Sequence, residues 1–264
     1  MLASQLPAPA SVRSTGLTAL VFLLGLVGLG ASDLHAQTQG GSGPAASEVR
    51  TAAMGMGATA ATAPADRTLR IALQAGHWRS HEAPDELARI RSNGTQGGGV
   101  HEWQVTLEIA QRAATLLEAR GYEVEVLPAT IPPGYRADLF IAIHADGFHS
   151  PSASGFSVAP PRRDASGRAG DFAEVLAASY GEATALRHRV ATRRMQGYYA
   201  FNSRRYRHAL HPSTPAVIIE TGFLTSPRDR EVIVNAPDRS ALGIATAVER
   251  FLPLAAPVVD AGRD

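Results

Sequence analysis

The chain has no cysteine and no lysine, only two tryptophans, and almost no imbalance of charge: 25 basic residues, all arginine, face 24 acidic ones for a formal net charge of +1. Each absence excludes something. Without cysteine there are no disulfides, no thiolate metal sites and no cysteine nucleophile, so any metal must be held by histidine and carboxylate. Without an excess of positive charge the electrostatic footprint of a nucleic-acid binder is missing, and nucleic acid is not expected as a partner. The exclusive use of arginine carries no function by itself, because arginine and lysine differ at bidentate sites but not on an ordinary solvated face. Long hydrophobic runs are scarce as well. The apolar run from Leu17 to Leu29 falls short of the ~20 residues that span a bilayer.

What is present is a chain of 264 residues with 45% hydrophobic content, enough to bury a real core in one or two domains. Residues 1–36 carry one positive charge at Arg13, the apolar run, and a small residue, Ala36, ahead of Gln37. That pattern reads as a signal peptide, with an uncleaved N-terminal anchor as the alternative, and it implies export to the periplasm or beyond. The membrane is expected to matter only through this segment. Residues 37–66 are rich in Gly, Ser, Ala, Thr and Pro without apolar periodicity, which reads as a disordered linker. A single catalytic domain is expected over 67–253, followed by a tail over 254–264.

Inside that domain the elements alternate. Leu69 to Leu73 reads as a short buried strand, and Trp103, Leu107, Ala110, Ala114 and Leu117 recur at helical spacing as one apolar face ending at Arg120-Gly121. Tyr122 to Leu127 alternates like a half-buried strand, while Asp138 to His144 and Pro215 to Glu220 are continuously apolar like strands covered on both faces. Ser226-Pro227 supplies a helix start, and a last helix from about Pro237 carries Ala241, Ile244, Ala245, Val248, Phe251 and Leu252 on one side. The expected fold class is α/β, an open, mostly parallel sheet flanked by helices.

In such sheets ligands gather at the carboxyl ends of the strands. Two apolar strands end on histidine, at His77 and His144, and a third ends on Glu220, while Glu102 opens the first helix. Each has an ordinary structural explanation: a strand-end histidine can cap a carbonyl, Glu220 can pair with an arginine, and a carboxylate at a helix start is favoured by the helix dipole. Together they offer two histidines and two carboxylates on one rim. That set suits zinc, with three protein ligands, one position open to water, and a carboxylate left to take a proton.

These residues also stand in a recognisable order. The segments QAGHW, GVHEWQVTLEIA followed by LLEARGYEV, FIAIHADG and TPAVIIETGFLTSPRDRE resemble the zinc-dependent N-acetylmuramoyl-L-alanine amidases of bacterial cell-wall turnover, the type 3 amidases, from about Leu69 to Leu252. The last segment is the most specific. The resemblance implies that His77, Glu102 and His144 are Zn2+ ligands and that Glu220 is the catalytic acid/base. It also implies cleavage of the amide between N-acetylmuramic acid and L-alanine in peptidoglycan. One departure stands at the first motif. The family commonly has Asp-Pro-Gly-His-Gly-Gly, whereas this chain has Gln74-Ala75-Gly76-His77-Trp78-Arg79. A metal-bound histidine needs its other nitrogen held, so that change bears on the ligand's support, although the Gln74 amide oxygen can still accept a hydrogen bond.

Two further features are weighed as substrate contacts. Trp78 is either a platform for sugar or peptide or a cover for the core. The Arg- and Tyr-rich segment from Arg193 to Pro212, with Arg204 and Arg205 at its middle, is either a wall that grips peptide carboxylates through arginine forks or a solvated helix and loop. Its tyrosines read as packing residues. Alternatives to the amidase are a zinc peptidase acting within the peptide stem and a non-catalytic cell-wall-binding protein of the same fold.

Overall fold

The computed structural model describes residues 67–254, so the expected leader, the linker and nearly all of the tail lie outside the described residues. The chain enters through strand β1, Arg70–Ala75, passes two 3-10 turns at Ser80–Glu82 and Asp85–Ile90, and makes a small hairpin of β2, Gln96–Gly97, and β3, Val100–His101. Helix α1, Glu102–Glu118, leads to β4, Glu123–Leu127, and then to β5, Leu139–Asp146. Next come β6, Ser157–Ala159, helix α2, Ala169–Thr184, and the short α3, Arg193–Gln196. A third 3-10 turn, Tyr199–Phe201, precedes β7, Ala216–Phe223, and helices α4, Pro227–Ile233, and α5, Pro237–Phe251, close the domain. Among the described residues no helix is long and apolar enough to cross a membrane.

The five-stranded sheet runs β4-β1-β5-β7-β6, parallel except for β6, which pairs antiparallel with β7 at one edge. The two most apolar strands, β5 and β7, lie side by side inside it, as continuous hydrophobic runs require. Side chains alternate along each strand, so two cores form. Ile71, Leu73, Leu139, Ile141, Val217 and Ile219 face α1, α2 and α5, whereas Ala72, Phe140, Ala142, Ala216 and Ile218 face the turns around Leu87 and the segment Met195 to Leu210. Each fully buried Leu, Ile or Phe contributes ~1.5–3 kcal/mol from area removed from water.

The structure corrects three expectations. The buried stripe of α1 is Val105, Ile109, Ala113 and Leu117, with Ala110 and Ala114 beside it, and Trp103 is 40% exposed. The helix is turned this way because Glu102 at its first residue points inward, where its carboxylate is held from several sides, and that fixes the face beneath it. Between Ala145 and Thr192, where no regular element was expected, stand β6 and α2. Helix α2 buries Phe172, Leu176 and Tyr180 at steps of four, a spacing the sequence does carry. Its Tyr180 hydroxyl donates to the Thr221 carbonyl at 2.9 Å, and α5 crosses close enough that a Cβ on Gly243 would come within 2.9 Å of the Tyr180 Cα. Finally, the segment after Arg193 is not a solvated helix and loop, because Met195, Tyr199, Ala200, Tyr206, Ala209 and Leu210 are buried in the second core.

The helix start at Ser226-Pro227 is as expected: the Ser226 hydroxyl accepts from the Asp229 amide. Asp229 itself turns away to accept from the Gly155 and Phe223 amides at 2.9 and 2.8 Å and from Ser154, tying the loop before β6 to the end of β7.

Candidate metal centre

Register brings the strand-end residues to one place. Gln74 pairs with Ala142, and His144 with Glu220, so Gln74, His144 and Glu220 all project to the same face near the carboxyl ends of three adjacent strands. Directly after that pair the β5–β7 register shifts, from His144 opposite Glu220 to Asp146 opposite Phe223. Thr221 spans the irregularity by donating its hydroxyl to the His144 carbonyl at 2.8 Å.

Glu102 reaches this rim from the start of α1. Its backbone amide donates to the Thr95 carbonyl at 2.9 Å, and its Oε2 accepts from the Thr95 amide at 2.8 Å, so the hairpin holds both ends of the residue. The other oxygen, Oε1, lies 2.9 Å from His144 Nδ1, 3.4 Å from His77 Nε2 and 3.2 Å from the Ala145 amide. Burial alone would raise the Glu102 pKa, but the two histidines and the Thr95 amide together outweigh it and hold the carboxyl below its usual range. His77 sits at the β1 exit with φ of 62°, a left-handed conformation unusual for a residue with a side chain. Burial lowers its pKa, with Glu102 working against that.

One donor atom each from His77, Glu102 and His144 lies within 4.8 Å of the others. Glu220 stands beside them with Oε2 buried and without a hydrogen-bond partner, and its pKa is raised well above normal by burial and by the negative charges of Glu102 and Asp146. Two imidazoles and a carboxylate converging on one point, with the carboxyl groups of Glu220 and Asp146 nearby, fit a divalent cation.

Residues 71–250 match the family described as N-acetylmuramoyl-L-alanine amidase. The chain belongs to that family. It is 27% identical over 202 residues to N-acetylmuramoyl-L-alanine amidase AmiC of Neisseria meningitidis serogroup B, covering 59% of this chain and 48% of that protein, so the chain spans about half the length of the curated relative it matches. Among solved structures it is similar to the amidase Ami1 of Mycobacterium smegmatis, at 18% identity and a TM-score of 0.52, covering 69% of this chain and 96% of that one. It is also similar to AmiC2 of Nostoc punctiforme, at 20% identity and a TM-score of 0.50, with the same two coverages. These likenesses show the amidase fold, an open, mostly parallel sheet flanked by helices.

Within this amidase-family domain, Gly76 is the residue that lets His144 into place. Its amide donates to the Ile143 carbonyl at 2.9 Å, its own carbonyl accepts from the Thr106 hydroxyl at 2.7 Å, and a Cβ here would lie 2.6 Å from the His144 ring and 2.7 Å from the Ile143 carbonyl oxygen. Because both neighbours are fixed, Gly76→Ala is expected to lose ~1–3 kcal/mol of stability as an overpacked site and to displace the imidazole. Thermal unfolding and metal content measure both effects, and a variant equal to the parent in each would contradict the close approach.

The other candidates fall into place around it. Trp78 is half-buried and packs on the first core; its carbonyl accepts from the Ala129 amide at 2.8 Å, and the Arg79 guanidinium lies 5.9 Å from its ring centre. Arg204 and Arg205 are exposed in a turn, Arg205 lying over the Tyr206 ring. The cations whose charge reaches Asp146 are Arg189 and Arg194, and Arg194 also reaches Glu220. His208, on no helix, contacts Glu86 at 2.6 Å, whose carboxylate also takes the Arg207 and His208 amides.

Two further residues join the site. Tyr198, expected to pack, does pack, but its hydroxyl also lies 3.3 Å from His144 Nε2. Gln74, a departure from the family's motif whose amide oxygen remained available as an acceptor, accepts from that hydroxyl at 2.8 Å. No local pattern announces a contact between positions so far apart in the chain.

Proposed function

We propose that the protein is an exported, zinc-dependent N-acetylmuramoyl-L-alanine amidase that cleaves the amide between the lactyl group of N-acetylmuramic acid and L-alanine in peptidoglycan. The observation that carries this reading is the convergence of His77, Glu102 and His144 beside a carboxylate, Glu220, whose inner oxygen has no partner, in a chain matched to the amidase family over 71–250. Export rests on the leader-like sequence of residues 1–36.

His77, Glu102 and His144 would hold the ion. Bound there, zinc supplies Lewis-acid polarisation of the scissile carbonyl and acidifies water. Glu220 accepts a proton as water attacks the amide carbon, and it returns that proton to the nitrogen as the C–N bond breaks, leaving a lactyl carboxylic acid and the free amine of L-alanine. A group that must gain and then release a proton works best with a pKa nearer the working pH than an ordinary carboxylate has, and burial within β7 moves Glu220 in that direction. Asp146, beside it, keeps its oxygen occupied by the Gly147 amide at 2.8 Å. Trp78, Arg204 and Arg205 are proposed to contact the muramyl peptide, the arginines through carboxylates of the stem.

The test uses the full chain on purified peptidoglycan, with metal analysis and mass spectrometry of the products. About one zinc per chain and free stems beginning with L-alanine, abolished by a chelator and restored by zinc, is the expected result. Cuts inside the stem would make it a zinc peptidase, and binding of wall material without cleavage would make it a wall-binding protein.

A further inference from the structure

The hydrogen-bond chain behind His144 has a direction that can be deduced atom by atom. It begins at the Ala129 carbonyl, which can only accept. The Gln74 side-chain nitrogen lies 2.9 Å from it, so that end of the amide is the donor, and the same nitrogen donates to the Tyr199 hydroxyl at 2.9 Å. Gln74 is fully buried, which leaves its Oε1 no other orientation than toward Tyr198. An amide oxygen only accepts, so the Tyr198 hydroxyl gives its single proton to Gln74 across 2.8 Å. What Tyr198 then presents to His144 Nε2, 3.3 Å away, is a lone pair. The imidazole must meet it with an N–H.

A neutral histidine protonated on Nε2 has its free lone pair on Nδ1. In His144 that is the nitrogen 2.9 Å from Glu102 Oε1, an acceptor it can face with a lone pair only when a cation stands between them, at the point where the donors of His77 and Glu102 converge. We infer that the chain Ala129–Gln74–Tyr198 sets the tautomer of His144, so that Nε2 carries the proton and Nδ1 is the nitrogen offered to the metal. The inference rests on the metal-centre reading above. Tyr198 and Gln74 are positioning residues in it, and they act only through His144.

Several features make the device specific. The loop bearing Ala129 is itself tied to the β1 exit, because the Ala129 amide donates to the Trp78 carbonyl, and Tyr199 also donates its hydroxyl to the Ala129 carbonyl while accepting from the Ile131 amide. The anchor of the relay is therefore rigid. Glutamine also suits position 74 where an acid would not, since an aspartate there would have no N–H for the Ala129 carbonyl. The unusual tyrosine-rich segment and the unusual glutamine thus form one unit, in which each makes sense of the other.

Nitrogen-15 NMR of the histidine rings in the unmodified, zinc-loaded protein reads the tautomer directly. The expected spectrum has a proton on His144 Nε2, slow to exchange with solvent; a proton on Nδ1, with Nε2 as the metal-bound nitrogen, overturns the inference. Tyr198→Phe keeps the ring and removes the acceptor. Zinc affinity measured by competition with a chelator is expected to fall ~10- to 100-fold, the usual effect of removing a partner that orients a ligand, with faster exchange of the Nε2 proton and an unchanged circular dichroism spectrum. Gln74→Leu frees the Tyr198 proton to point at Nε2 and is expected to weaken zinc in the same way. Unchanged affinity in both variants, in a parent that binds zinc, rejects the relay alone; a parent that takes up no zinc rejects the metal centre and the relay with it.

Discussion

Glu220→Gln is expected to keep a full complement of zinc and to hydrolyse muropeptides roughly 100- to 10,000-fold more slowly, the range attributable to a positioned general acid and base. Gln has the shape of Glu and cannot carry a proton, and Glu220 is not one of the three converging donors, so the rate and the metal should separate. The fold should not suffer. Burial raises the Glu220 pKa above its unfolded value. In the metal-stripped protein, folding therefore disfavours the charged form, and the resulting loss of stability sets in as pH rises above the unfolded pKa. A neutral amide escapes that penalty, so the Tm of the stripped variant at neutral pH should equal or exceed that of the parent. Retained zinc with retained activity would take the acid/base role away from Glu220; lost zinc would make it a ligand.

Glu102→Ala is expected to abolish zinc uptake and, with it, hydrolysis down to the rate of a chelated control. It differs from Glu220→Gln in also harming the fold. The carboxylate is 5% exposed and accepts from the Thr95 and Ala145 amides while facing His144 and His77. Its removal strands two backbone donors, each at ~1–3 kcal/mol when left unsatisfied and buried. In a domain of this size, Tm falls by about 2–4 °C for each kcal/mol. Metal analysis and thermal unfolding of the same preparation decide the matter: a variant that still binds one zinc per chain and cleaves would remove Glu102 from the centre.

The parts of the fold that are legible in the sequence are those where one residue pattern has one physical outcome. Two continuously apolar runs become β5 and β7, and Ser226-Pro227 becomes a capped helix start, since the hydroxyl and the proline act within four residues of chain. The face of α1 is not legible in this way, because Trp103 and Leu107 fit a helical stripe as well as Val105 and Ile109 do. Periodicity finds a stripe but does not choose between two adjacent ones. The choice is made by Glu102, whose inward bonds come from Thr95 and from the far strand at Ala145. Strand β6 escapes for a related reason: three residues at an antiparallel edge are held by their pairing with β7 and have almost no pattern of their own.

By itself the sequence determined the class of fold and pointed to the residues that meet at the candidate centre. Glycine-histidine just past one strand, histidine and glutamate in the carboxyl-terminal halves of two others, and glutamate at a helix start are residue types placed by local structure, and the absence of cysteine left only nitrogen and oxygen ligands. Tertiary structure alone decided how those donors are oriented. Tyr198 reaches His144, and Gln74 and Ala129 stand behind Tyr198, on segments far apart in the chain that meet over the second core. Hydrogen bonds act over about 3 Å, and nothing in a sequence fixes a distance that short between residues as far apart in the chain as Gln74 and Tyr198. The identity of a ligand is a local property of the chain; the direction in which its proton points is a property of the folded whole.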